Sequence, residues 1–134
     1  MPAITHSHYM RIAIQIAKAS YCKRLQVGAV LVTTEGIIVP GYNGTLPGNE
    51  NCCEDKEGNT KPETLHAERN IILKLANSTL SARGGTVYVT HSPCDICAGM
   101  LVGLGIKELY YKTLYRDNKG LIMLQENGVK TYKL

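Results

Sequence analysis

The chain has 134 residues, 44% of them hydrophobic and 19% charged, the proportions of a single domain (1–134) with room for a real core. Its formal net charge of +4 suits an anionic substrate but is too mild to argue for nucleic acid, and with no Trp and no Phe a base-stacking platform would fall to the eight Tyr. The opening Met1-Pro2-Ala3-Ile4-Thr5-His6 lacks the apolar core of a signal peptide, and no stretch approaches the roughly 18 uninterrupted apolar residues of a membrane span.

Residues 5–20 read as a helix. Tyr9, Ile12, Ala13, Ile16 and Ala17 recur at three- and four-residue spacing, with Thr5 or Ser7 as the cap. Residues 27–33 are a β run, turned at Glu35-Gly36, with 36–42 as its hairpin partner. Residues 43–63, rich in Gly, Pro, Asn and acidic side chains, read as a long loop of the kind that is functional more often than filler. A helix is expected over 64–77 with Thr64 as N-cap, then a strand over 86–90. Ser92 looks like the next N-cap, with Pro93 at the first position of a helix running to about 103. A strand over 107–112, a helix over 117–127 stopped by Gly128, and a strand over 129–132 complete the chain. The order α-β-β-α-β-α-β-α-β predicts a three-layer α/β/α fold, a five-stranded mixed sheet with helices on both faces. The helix between the last two strands makes that pair parallel.

The chemistry concentrates in His66-Ala67-Glu68 and Pro93-Cys94-Asp95-Ile96-Cys97. One imidazole and two thiols make three ligands for Zn2+. Catalytic zinc takes three protein ligands and keeps a fourth position for water, whereas structural zinc is closed by four. Cys94 and Cys97, three apart at a helix start, share one face where backbone N–H groups favour thiolate. Glu68, beside the metal and not bound to it, is the expected proton shuttle. A redox pair needs no His-x-Glu upstream, and a structural zinc would want a fourth ligand. Five Cys is an odd count, so reduced thiols in a cytoplasmic compartment are expected rather than a disulfide framework.

This pairing of His-x-Glu with Pro-Cys-x-x-Cys is the signature of zinc-dependent nucleobase deaminases. Over most of its length the chain resembles the deoxycytidylate (dCMP) deaminases of the cytidine deaminase superfamily. The resemblance runs through Cys22-Lys23-Arg24-Leu25-Gln26-Val27-Gly28-Ala29-Val30, Gly41-Tyr42-Asn43-Gly44, Asn51-Cys52-Cys53, His66-Ala67-Glu68-Arg69-Asn70, Ser92 to Leu101, and Gly105-Ile106-Lys107. It implies a cytidine deaminase-like fold and zinc-dependent hydrolysis of dCMP to dUMP and ammonia, supplying dUMP for thymidylate synthesis. Carried over by position, the zinc ligands are His66, Cys94 and Cys97, and the shuttle is Glu68. Substrate contacts fall on Arg24, Asn43, Ala67, Tyr115 and Arg116. A guanidinium among them fits a phosphate, whose oxygens it grips in pairs.

The resemblance further implies a homo-oligomer, a hexamer in many members, activated by dCTP and inhibited by dTTP, with Mg2+ on the triphosphate. Asn43, Gly44, Glu54 and Asp55 are the candidate effector residues, against the plainer reading of an acidic surface loop. A second zinc is not expected, because only Cys22, Cys52 and Cys53 remain for it, with no histidine between them and His66. Cys52 and Cys53 have no assigned role, and His91 reads as structural. The rival functions are a dual dCMP/dCTP deaminase, a tRNA adenosine deaminase and a non-catalytic, zinc-stabilised nucleotide-binding protein.

Overall fold

The computed structural model describes residues 3–134. In chain order its elements are α1 (His6–Ala17), β1 (Gly28–Val32), β2 (Ile38–Tyr42), α2 (Ala67–Ala76), β3 (Thr86–His91), α3 (Asp95–Leu104), β4 (Glu108–Thr113), α4 (Lys119–Glu126) and β5 (Lys130–Lys133). They make a five-stranded sheet of order β2-β1-β3-β4-β5. β1 is antiparallel to both β2 and β3, while β3, β4 and β5 run parallel, as the helix before β5 requires. Among the described residues no helix is long and apolar enough to cross a membrane.

Every residue of β1 is buried, because the strand is covered on both faces. Its side chains alternate between two cores. Val30 and Val32 join Tyr88 and Tyr110 under Met10 and Ala13 of α1. Ala29 and Leu31 join Val87, Val89 and Leu109 under α2, α3 and α4, which contribute Ile71, Leu101, Leu121 and Leu124 among others. One helix on one face and three on the other give the expected three layers. Thr5 caps α1 in a capping box with His8 in the acceptor position.

Because β1 opposes its two neighbours, its start lies at the same sheet edge as the ends of β2 and β3. Residues around Val27, Asn43 and Ser92 therefore gather there, together with the long 43–63 loop. Two expected helix starts are corrected at this edge. α2 begins at Ala67 with His66 itself as the extended N-cap (φ −72°, ψ 158°), and Thr64 instead donates its hydroxyl to the Cys53 carbonyl at 3.2 Å. α3 begins at Asp95 with Cys94 as the N-cap, its sulfur accepting the Cys97 N–H, while Ser92 Oγ accepts the Tyr115 N–H at 2.8 Å. A hydroxyl was the better cap by local preference. Ser92 and Thr64 are used instead to tie loops together.

The expectation that all thiols are reduced is also corrected. Cys22 and Cys53 form a disulfide, while Cys52, Cys94 and Cys97 are free. The partners are 31 residues apart in sequence with Cα atoms 5.1 Å apart, so only the return of the long loop brings them together.

Candidate active site and metal centre

His66 and Cys94 occupy extended cap positions, so their side chains project past the helix ends instead of lying along them. His66 Nδ1 lies 3.6 Å from Cys94 Sγ and 3.4 Å from Cys97 Sγ. A tetrahedral zinc with ordinary bond lengths places its nitrogen and sulfur ligands about 3.6 Å apart along each edge. His66 Nδ1 thus stands at zinc-ligand spacing from both sulfurs, and all three donor atoms lie within 4.8 Å of one another. Among the described residues, no fourth His, Cys, Asp or Glu joins this cluster, so one corner of the tetrahedron is left for water or substrate.

The two thiols are hydrogen-bonded to each other and titrate as a coupled pair. The hydrogen bond from the Cys97 thiol, helped by His66, pulls the Cys94 thiol down, although burial opposes it. The same hydrogen bond and burial push Cys97 up. A divalent cation displaces the thiol proton and holds both as thiolates.

Glu68 lies in the first turn of α2, only 4% exposed. Burial raises its carboxyl from the ordinary range to about 7, against the smaller pull of its own backbone hydrogen bond and of His66. A zinc ion beside it would draw the value back down. Burial thus moves the group toward the pH at which a side chain can both take and give a proton.

A cavity of about 380 Å3 opens on this centre, within the range of small-molecule sites. Among its lining are His66, Ala67, Glu68 and Cys94 from the metal end, and Arg24, Asn43, Tyr115 and Arg116 from the loops. The fold therefore gathers every expected catalytic and substrate residue around one space, with Cys97 buried. Arg116 takes a left-handed backbone (φ 51°) and its guanidinium carbon lies 5.1 Å from the Tyr115 ring centroid. The Asn43 side chain braces the cavity wall, accepting from Val27 N at 2.8 Å and donating to Leu25 O at 2.7 Å.

The four effector candidates separate. Asn43 and Glu54 line the main cavity; Asp55, with Glu54, lines a shallow neighbouring depression. Gly44 lines neither cavity and pairs with Leu65 in an isolated bridge. His91, read from sequence as structural, also lines the main cavity, and burial lowers its pKa. Its ring nitrogen lies 3.1 Å from Thr90 Oγ1. No local pattern pointed to it; its position at the end of β3 does.

α4 buttresses the metal turn directly. A Cβ on Gly120 would stand 2.0 Å from the Pro93 carbonyl oxygen and 3.0 Å from that of Cys94. Gly120→Ala is therefore expected to push α4 off this turn at a cost of about 1–3 kcal/mol, the range for overpacking. Thermal melts with and without added zinc check it: a lower Tm in both and weaker zinc retention are expected, and an unchanged melt would mean the turn yields freely.

A family model described as the cytidine and deoxycytidylate deaminase zinc-binding region matches residues 3–113. Deoxycytidylate deaminase of Enterobacteria phage T4 is 31% identical over 155 residues, covering 84% of this chain and 80% of that protein. ComE operon protein 2 of Bacillus subtilis is 33% identical over 84% of this chain, which spans 61% of that protein's length. Among solved structures, dCMP deaminase from the cyanophage S-TIM5, in complex with dCMP and dUMP, superposes with a TM-score of 0.93 at 39% identity, covering 98% of this chain and 100% of that one. The matched region holds both His66 and the Cys94–Cys97 pair, already drawn to zinc spacing by the fold, and the chain belongs to the cytidine and deoxycytidylate deaminase family with a zinc site at these three residues.

Proposed function

We propose that this protein hydrolyses dCMP to dUMP and ammonia. The observation that carries the reading is the cavity, which joins a three-ligand zinc centre and a buried carboxyl to two guanidinium groups in one space large enough for a nucleotide. The full-length likeness to a deaminase crystallised with dCMP and dUMP supports the same substrate.

In this mechanism His66, Cys94 and Cys97 hold the metal, which when bound supplies a Lewis acid that makes water nucleophilic near neutral pH. Glu68 accepts a proton from the attacking water and passes it to the adjacent ring nitrogen; it then takes the second proton from the new C4 hydroxyl and delivers it to the amine, which leaves as ammonia as the C4 carbonyl forms. The burial of Glu68 keeps bulk water from competing for either proton. Arg24 and Arg116 bind the phosphate, with Tyr115 and Asn43 flanking the nucleoside and Ala67 lining the base site. The overall balance is dCMP plus water giving dUMP plus ammonia, with Glu68 returned to its starting state.

An ammonia-release assay over deoxycytidine, dCMP and dCTP tests the reading. Turnover of dCMP is expected, and zinc-loaded protein releasing no ammonia from any of the three would sink it. Arg24→Ala and Arg116→Ala should each raise KM for dCMP about 10- to 100-fold, the worth of charge-assisted hydrogen bonds, while deoxycytidine is much less affected. Equal losses on both substrates would remove the phosphate role.

The proposal extends to a cytoplasmic homo-oligomer, a hexamer, activated by dCTP and inhibited by dTTP with Mg2+. The depression beside the main cavity, lined by Lys23, Arg24 and Lys56 together with Glu54 and Asp55, is the place proposed for a triphosphate, whose charge the three cations would meet and whose Mg2+ the two carboxylates would face. dCMP kinetics with each triphosphate and a solution mass measurement check both parts.

A further inference from the structure

Glu54 is out of place by charge alone. It lines a cavity read as taking an anionic substrate, yet it carries a carboxylate. Its Oε2 accepts two consecutive backbone N–H groups, Lys23 N at 2.9 Å and Arg24 N at 3.2 Å. Successive amides converging on one oxygen form an anion-holding nest, and here the protein fills that nest with its own side chain. The carboxylate is in turn fixed from behind. The Cys22–Cys53 disulfide joins the residues immediately before Lys23 and before Glu54. The Cys53 carbonyl accepts from Lys61 N at 2.7 Å and from the Thr64 hydroxyl at 3.2 Å, and Glu54 pairs with Thr60. Two residues that are neighbours of the same crosslink thus close a second, non-covalent clasp between the same two segments.

We propose that Glu54 is the positioning residue of the phosphate grip: its carboxylate, anchored beside the Cys22–Cys53 bond, holds the Lys23–Arg24 backbone so that the Arg24 side chain stands in the cavity. The inference rests on the dCMP reading given above. Two effects of this carboxylate on an anionic substrate have opposite signs, which makes the proposal decidable. If it only contributed charge, removing it would tighten dCMP. If it positions Arg24, removing it weakens dCMP although a repelling charge has gone.

The test measures KM and kcat for dCMP and for deoxycytidine in the zinc-loaded wild type, Glu54→Ala, Glu54→Gln, Cys22→Ser, Arg24→Ala and the Glu54→Ala/Arg24→Ala double variant. Glu54→Ala should raise KM for dCMP about tenfold with a much smaller change in kcat, and should affect deoxycytidine far less. Glu54→Gln, which keeps one acceptor for the two amides, should restore part of the loss. In the Arg24→Ala background the Glu54→Ala effect should largely vanish, because a group acting through another has nothing left to position. Cys22→Ser loosens the same clasp from its other side and should reproduce the split between dCMP and deoxycytidine.

A lower or unchanged KM for dCMP in Glu54→Ala overturns the proposal. So does an equal loss on both substrates, a full additive effect in the double variant, or a Cys22→Ser protein with both KM values unchanged. Wild-type protein that fails to deaminate dCMP at all would instead overturn the functional reading on which the inference rests.

Discussion

Glu68→Gln is expected to keep zinc and fold while losing about 10²- to 10⁴-fold in kcat, the usual contribution of a positioned general acid–base group. The amide is nearly the same size and fits the buried first turn of α2. It cannot take a proton from water or hand one to a ring nitrogen. Metal content by atomic absorption, circular dichroism and single-turnover ammonia release together decide the matter. Near-normal turnover in a zinc-replete variant would remove Glu68 from the mechanism. A variant that lost zinc would show that the carboxyl is needed to build the centre, a different role from the one proposed.

Cys97→Ala is expected to abolish zinc retention, and with it turnover. Cys97 has no exposed surface, and its sulfur faces both His66 Nδ1 and the Cys94 thiol. Two remaining ligands hold zinc far more weakly than three, and the stabilisation that metal binding lends to the folded state goes with them. The wild type should therefore lose several degrees of Tm on treatment with a chelator, whereas Cys97→Ala should melt at the same temperature with or without it. A chelator-sensitive melt in the variant would mean that zinc is held elsewhere.

Much of this was legible because it is written in residue type and local spacing. The apolar β run of residues 27–33 and the alternation of residues 86–90 are properties of the strand, and the apolar spacing of residues 9–17 is a property of the helix. Both periods survive whatever the rest of the chain does. The zinc donors were legible for a different reason: few side chains bind the metal, and two cysteines three apart at a helix start already share a face. The helix starts themselves were misplaced by up to three residues, and the error is informative. Local capping preference favours Thr64 and Ser92, but both hydroxyls are spent on Cys53 and Tyr115, residues 11 and 23 positions away. The cap positions fell to His66 and Cys94, where an extended backbone aims a ligand past the helix end.

From its residues alone, then, the chain determined its element types, its two-sided sheet and the chemical identity of its metal donors, since these follow from short-range periodicity and from what each side chain can bind. Only the tertiary structure decided that Cys22 meets Cys53, that Asn43 braces Leu25 and Val27, and that Glu54 clasps the Arg24 backbone. Those contacts close gaps of 16 to 31 residues. No local pattern encodes which partner will be waiting at the far side of such a loop, because that is set by where the strands of the sheet bring the chain back.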